Sequence, residues 1–154
     1  MRYPLRMTRK KSFLEEHSLS LIAAGILTVW LVLYSHSDPS THIGAFYGNS
    51  IADWSGAVVV IIGTKFLFER GSRESKPVRG TGSRIHKFLM EHSLTITLVL
   101  TGGCWALLYA RLDAGSKWGQ VVGNVLSEWV ALLGLVLLTK KFIERGSEES
   151  RGAK

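Results

Sequence analysis

Two short stretches hold the residues best suited to chemistry. Gly48-Asn49-Ser50-Ile51-Ala52-Asp53-Trp54 returns as Gly123-Asn124-Val125-Leu126-Ser127-Glu128-Trp129, keeping an amide, a carboxylate one helical turn on, and an indole beside it. On a helix that spacing puts amide and acid on one face, so Asn49 with Asp53, and Asn124 with Glu128, present oxygens together. Clustered oxygens suit hard cations or protons, and an acid within an apolar run marks an ion path by default. A plainer role fits as well. Asn49 and Asn124 would be N-caps, and Asp53 and Glu128 would lie in a first turn, where the helix dipole favours negative charge. Ser50 to Asp53 has the spacing of a capping box, but Val125 in the second copy has no side-chain acceptor.

Other candidates lie where the apolar runs begin or end. His17 and His92 each follow a Glu, and an imidazole there can titrate near neutral pH or simply be solvated. Lys65 with Glu69, and Lys140 with Glu144, have helical ion-pair spacing, which fits stabilisation or snorkelling as well as gating. Trp30, Tyr34, Trp54, Trp105, Tyr109 and Trp129 are expected as anchors at headgroup level. Gly56, Gly102, Gly103 and Gly134 would let helices approach closely.

Several chemistries are missing. The chain has no Gly-rich loop ahead of a Lys, no zinc-type His pair and no potassium-filter sequence. No nucleophile and base recur together, so neither an enzyme nor a cofactor is expected. Cys104 is the single cysteine, which excludes an intrachain disulfide and a multi-Cys metal site.

The elements that must position these residues are four apolar runs, Leu19 to Tyr34, Ile51 to Phe68, Leu94 to Ala110 and Val121 to Leu138. Each approaches the ~17 to 25 residues that cross a bilayer as a helix. They are too long for strands and show no period of two. The first run follows basic residues as a signal peptide would, but its copy in mid-chain cannot be one. The outer loop Thr41 to Asn49 is long enough for a short re-entrant or interfacial segment, but nothing in it specifies an ion.

Seventeen of the 19 Lys and Arg flank the runs on one side, leaving Arg111 and Lys117 on the other. The positive-inside bias then places both termini and the middle linker in the cytoplasm and the hairpin tips outside. The net charge of +7 is a topology signal, and it suits anionic headgroups at the cytoplasmic face as a secondary partner. Glu69, Glu74, Glu144 and Glu149 interrupt the basic stretches, so no nucleic acid is expected as partner.

Shifted by 75 residues without a gap, the chain aligns on itself. Glu16-His17-Ser18-Leu19 falls on Glu91-His92-Ser93-Leu94, Trp30 on Trp105, Tyr34 on Tyr109, Asp38 on Asp113, Gly44 on Gly119, and Glu69-Arg70-Gly71-Ser72 on Glu144-Arg145-Gly146-Ser147. The halves therefore share descent. The organisation expected is a basic tail 1–12, a hairpin repeat 13–75, a linker 76–86, a second hairpin repeat 87–150 and a tail 151–154. Gly71 and Gly146 would close their helices. Because each unit crosses twice, the repeats are parallel.

The acid beside a Trp, followed by a helix ending in Arg70-Gly71-Ser72-Arg73-Glu74-Ser75, resembles an uncharacterised family of small bacterial membrane proteins. That resemblance implies the bacterial inner membrane and no activity. The second copy departs from it with Glu148 where the first has Arg73.

The fold expected is an all-α integral membrane protein, with four transmembrane helices as two tandem parallel-repeat hairpins, assembling into a homo-oligomer. The function expected is a cation channel or transporter subunit, with Asp53 and Glu128 attracting the ion and Asn49 and Asn124 orienting it. The alternative is a non-conducting structural or accessory subunit of a larger membrane complex.

Overall fold

A backbone amide among apolar side chains in a bilayer has no water to bond, so it takes the carbonyl one turn back. All four apolar runs are accordingly helical. The computed structural model describes residues 13–68, 70, 83–139 and 142. It contains α1 (Phe13–Ser35), α2 (His42–Phe66), a short α3 (Arg84–Glu91), α4 (Ser93–Arg111) and α5 (Lys117–Leu138), with no strand among the described residues. The four long helices have 23, 25, 19 and 22 residues and are apolar enough to cross a membrane. The chain is a multi-pass membrane protein.

The turns joining α1 to α2 and α4 to α5 are built from the same few bonds. Thr41 caps α2 by accepting from the Gly44 N–H at 3.1 Å, and Ser116 caps α5 by accepting from the Gly119 N–H at 3.1 Å. Each capping hydroxyl also donates to the carbonyl of the preceding Asp, Asp38 at 2.7 Å and Asp113 at 2.6 Å. That carbonyl lies over the first helical turn where a Cβ on residue 44 or 119 would overlap it, so both positions are glycine. The Asp38 carboxylate accepts from the Ser40 N–H and hydroxyl at 2.9 and 2.7 Å, and the Asp113 carboxylate from the Gly115 N–H at 2.9 Å.

These caps correct one expectation. Residues 42–49 are not outer loop but the opening turns of α2, and α5 likewise begins ahead of its apolar run.

α1 packs on α2, α4 packs on α5, and the two hairpins meet along α2 and α5. Those two helices run side by side in the same direction. Asn49 meets Asn124 near the turn ends, while Val60 and Leu135 line one small apolar cavity nearer the other ends. The core along this seam includes Tyr34, Ile51, Val121, Val125 and Trp129. Tyr34 is 1% exposed and Trp129 6%, so these two are core residues rather than the headgroup anchors expected.

At the end opposite the turns the hairpins differ. α1 runs unbroken through Glu16-His17-Ser18, whereas the helix breaks at His92, between α3 and α4. The strand of chain leaving α2 fills the break. The Leu94 N–H donates to the Phe68 carbonyl at 2.9 Å, the Arg70 N–H to the Glu91 carbonyl at 2.6 Å, and the Phe68 N–H to Ser93 Oγ at 2.8 Å. The Glu91 carboxylate faces Arg70 at 3.3 Å and Lys87 at 3.9 Å. Arg84 opens α3 inside the stretch expected as linker, and most of that stretch lies outside the described residues. So do Gly71, Gly146, Glu69, Lys140 and Glu144, with the caps and ion pairs expected of them.

Candidate functional site

The seam between α2 and α5 gathers the residues that the sequence singles out. Asn124 Nδ2 donates to Asn49 Oδ1 at 2.6 Å, joining the two amides directly across the helices. Each Asn thus meets its counterpart 75 residues away, rather than pairing its oxygen with the acid on its own helix. The pair leaves the Asn49 amide hydrogens and the Asn124 oxygen with capacity for one partner more.

Asp53 and Glu128 lie one turn further along, well inside their helices. The capping role considered for them and for the two Asn residues is overturned, because the caps are Thr41 and Ser116. Ser50 does not form a capping box either. Its hydroxyl donates to the Phe46 carbonyl at 2.9 Å, the usual recourse of a buried Ser within a helix. The two acids differ in surroundings. Asp53 is exposed, whereas Glu128 is half-buried against α2, where a Cβ added to Gly56 would stand 2.5 Å from Glu128 Oε1. Gly56 follows Asp53 by three residues on α2, so the Glu128 carboxylate rests within one helical turn of Asp53.

Above this pair, at the turn ends, the hairpins are fastened by Tyr34 and Lys117. The Tyr34 hydroxyl donates to the Lys117 carbonyl at 2.6 Å. Lys117 Nζ donates to the carbonyls of Ser35 at 3.0 Å and Ser37 at 2.6 Å, and it lies 5.0 Å from the Tyr34 ring centroid. A cation here satisfies carbonyls left over at the end of α1. Trp118 meets the Tyr34 ring edge-on at 5.3 Å.

The Asp38 carboxyl is held below the usual carboxylate range by the Ser40 N–H, then by the Ser40 hydroxyl, with a smaller contribution from the Lys117 charge.

Below the acids the indoles line the two hairpins. Trp129 Nε1 donates to Thr101 Oγ1 at 2.8 Å, and its ring meets Trp105 edge-on at 5.8 Å. Trp30 packs against Phe46 at 5.6 Å and Tyr47 at 5.8 Å, while its buried indole N–H has no hydrogen-bond partner among the described residues.

The weaker candidates divide. Lys65 Nζ donates to His17 Nδ1 at 2.9 Å, joining two residues that the sequence singles out separately. His92 ends α3 and packs on Phe88 at 4.7 Å, far along the chain from any acid of the seam. Lys140, the counterpart of Lys65, lies outside the described residues. Among the described residues no three His, Cys, Asp or Glu side chains gather as a metal site would require.

Sequence reasoning names Gly56 only for close helix approach, and misses both the acid that rests on it and the contacts of Lys117. Gly56 is legible only as a change in size: the position 75 residues on is Ala131, while the neighbouring acid changes from Asp53 to Glu128. Lys117 was noted only as an exception to the charge bias. Compared with family models, curated proteins and solved structures, the chain matches none.

Proposed function

We propose that the chain is the subunit of an oligomeric membrane protein that passes cations, with Asp53 and Glu128 drawing the ion in and the Asn49–Asn124 pair shaping the passage beside them. The observation that carries this is the convergence of two amides and two carboxylates on one helix seam, none of them engaged in capping. Carboxylates held together within apolar helices are unfavourable unless something cationic offsets them. One chain offers too few helices to enclose a polar path, so the path would run between copies.

The chain is read here as two parallel hairpins of common descent. The matched turn bonds and the amide pair of residues 75 apart support that reading. The charge bias supports cytoplasmic termini, and the family resemblance supports a bacterial inner membrane. α3 supports contact with anionic headgroups at that face, because Arg84 and Lys87 share a short helix with exposed Ile85, Phe88 and Leu89.

One observation favours the second reading, a non-conducting accessory subunit. The junction of α2, α4 and α5 beyond the acids is lined by aliphatic side chains, among them Val59, Leu94, Leu98 and Val136, with one hydroxyl, Thr64, whose proton is given to the Val60 carbonyl at 2.6 Å, so it offers an ion little.

Flux through proteoliposomes decides between them. The wild-type chain should pass monovalent cations, and Asp53→Asn with Glu128→Gln should lose most of that flux at equal protein density. Equal flux from both proteins for every cation tried would sink conduction and leave the accessory reading.

A further inference from the structure

The contact between the two hairpins is not reciprocal. The first hairpin offers a face made of Tyr34, Gly48, Ile51, Ala52 and Gly56, and all five are buried. The same face of the second hairpin is less covered: Tyr109, Ser127 and Ala131 are exposed, and Gly123 and Leu126 half-buried. Tyr34 is 1% exposed and Tyr109 39%. An open cavity of about 570 Å³ lies against Tyr109, Gly123, Asn124, Leu126 and Ser127.

The opposite faces show the reverse. Val121 and Glu128 of the second hairpin press into the first, Val121 Cγ2 lying 3.6 Å from where a Gly48 Cβ would be. Their counterparts Phe46 and Asp53 are exposed, Phe46 at 53% and Ile43 beside it at 55%. Each chain therefore ends in two halves of the contact it already contains once. A contact between unlike faces propagates from copy to copy, forming a ring where the rotation closes.

We propose that a second copy of this chain seats Ile43, Phe46 and Asp53 of its first hairpin in the open face of the second hairpin, repeating between copies the head-to-tail contact already present within each chain.

Side-chain sizes favour that occupant. Within the chain the longer acid, Glu128, rests on a residue without a Cβ, Gly56. Between copies the shorter acid, Asp53, would rest on Ala131, which has one. At that position a methylene removed from the acid matches a methyl added to its seat, and where Phe46 stands for the smaller Val121, Ile43 stands for the larger Trp118. Asn49 would then donate to Asn124 of the next copy as Asn124 donates to Asn49 within the chain. Every amide around the ring would give one bond and take one.

The inference rests on the duplicated-hairpin, oligomeric part of the proposed function and not on conduction. A ring that passes no cation preserves it, and a conducting monomer overturns it.

Cross-linking in native membranes tests it. In a Cys104→Ser background, chains carrying Asp53→Cys and chains carrying Ala131→Cys, with different tags, are co-expressed and oxidised. A disulfide-linked pair bearing both tags is expected, with none from either variant expressed alone. A positive control places Gly56→Cys and Glu128→Cys within one chain, where the contact is already present.

With the control positive, the absence of a mixed pair overturns the inference. So does a pair formed by Asp53→Cys or by Ala131→Cys alone, which would mean like faces meeting. As a second measure, Asp53→Glu should weaken the oligomer in native mass spectrometry, and adding Ala131→Gly should restore it. A wild-type monomer in that measurement, in mild detergent, also overturns it.

Discussion

The Glu128 carboxylate lies on Gly56 so closely that a Cβ there would stand 2.5 Å from Oε1 and 2.7 Å from Cγ. The seam between the hairpins is thus set by the absence of one methyl group. Alanine at residue 56 would gain about 1 kcal/mol of helix propensity, yet overpacking costs about 1–3 kcal/mol, and here the Cγ of a half-buried acid, as well as its carboxylate, would have to move. Gly56→Ala is therefore expected to lower stability by about 1–2 kcal/mol, measured by thermal unfolding in detergent. Glu128→Asp in the same chain should recover most of the loss. Unchanged stability of Gly56→Ala would mean that the acid does not rest there.

The Asn49–Asn124 bond invites a double-mutant cycle. Side-chain hydrogen bonds between helices in a membrane average about 0.6 kcal/mol and reach about 1.7. Asn49→Ala and Asn124→Ala should each destabilise, and the double variant should lose clearly less than the sum. Strict additivity would show that the amides act separately.

Lys117 and Tyr34 fasten the hairpins at the turn end. Lys117→Met keeps the aliphatic stem but surrenders both carbonyl contacts, and with the ammonium only half-buried about 1 kcal/mol is the expected loss. Tyr34→Phe removes one buried hydrogen bond, also about 1 kcal/mol. Both changes should speed proteolysis in the turn formed by residues 36–41, which hydrogen–deuterium exchange would also report. Slower exchange in that turn would contradict the arrangement.

The turn should be sensitive to acid. The folded Asp38 carboxyl titrates below its unfolded counterpart, because the Ser40 N–H and hydroxyl favour the charged form. A lowered acid contributes stability that is present above its unfolded value, near pH 4, and lost as pH falls through the folded one. Between about pH 5 and pH 3 the wild-type turn should loosen. Asp38→Ala, already without the contacts, should show a flatter response when thermal unfolding is followed over that range.

Much of this architecture was legible from residue type alone. Long apolar runs in a chain of this size have few alternatives to membrane helices, and the constant register marked Asn49 and Asn124, and Asp53 and Glu128, as equivalent positions, though not that the two amides would meet. The starts of α2 and α5 were not legible from hydropathy, because His42, Tyr47 and Asn49 dilute the run that the eye begins at Ile51. The caps Thr41 and Ser116 were in plain view, but a hydroxyl is recognised as a cap only when the helix after it is already suspected.

The unequal burial of the copies was the least legible feature. Tyr34 and Tyr109 are the same residue in the same motif, and only packing buries one at 1% exposure and leaves the other at 39%. A repeat in sequence states what each face is made of and not which face is covered. The helix break at His92 escaped for a similar reason, since the identical triplet at Glu16-His17-Ser18 sits in unbroken helix.

That break has a consequence for how the protein is made. The first turn of α4 takes its acceptor from Phe68, a residue that leaves the ribosome well before Leu94 does. The later hairpin therefore meets a landing place already finished when it arrives. Its opening amide is received by a carbonyl that precedes it in the chain, so on synthesis the acceptor exists before the donor. A circular permutation that began translation at α3 would present Leu94 with no carbonyl to accept it, and the second hairpin would have to wait, half-threaded, for the first.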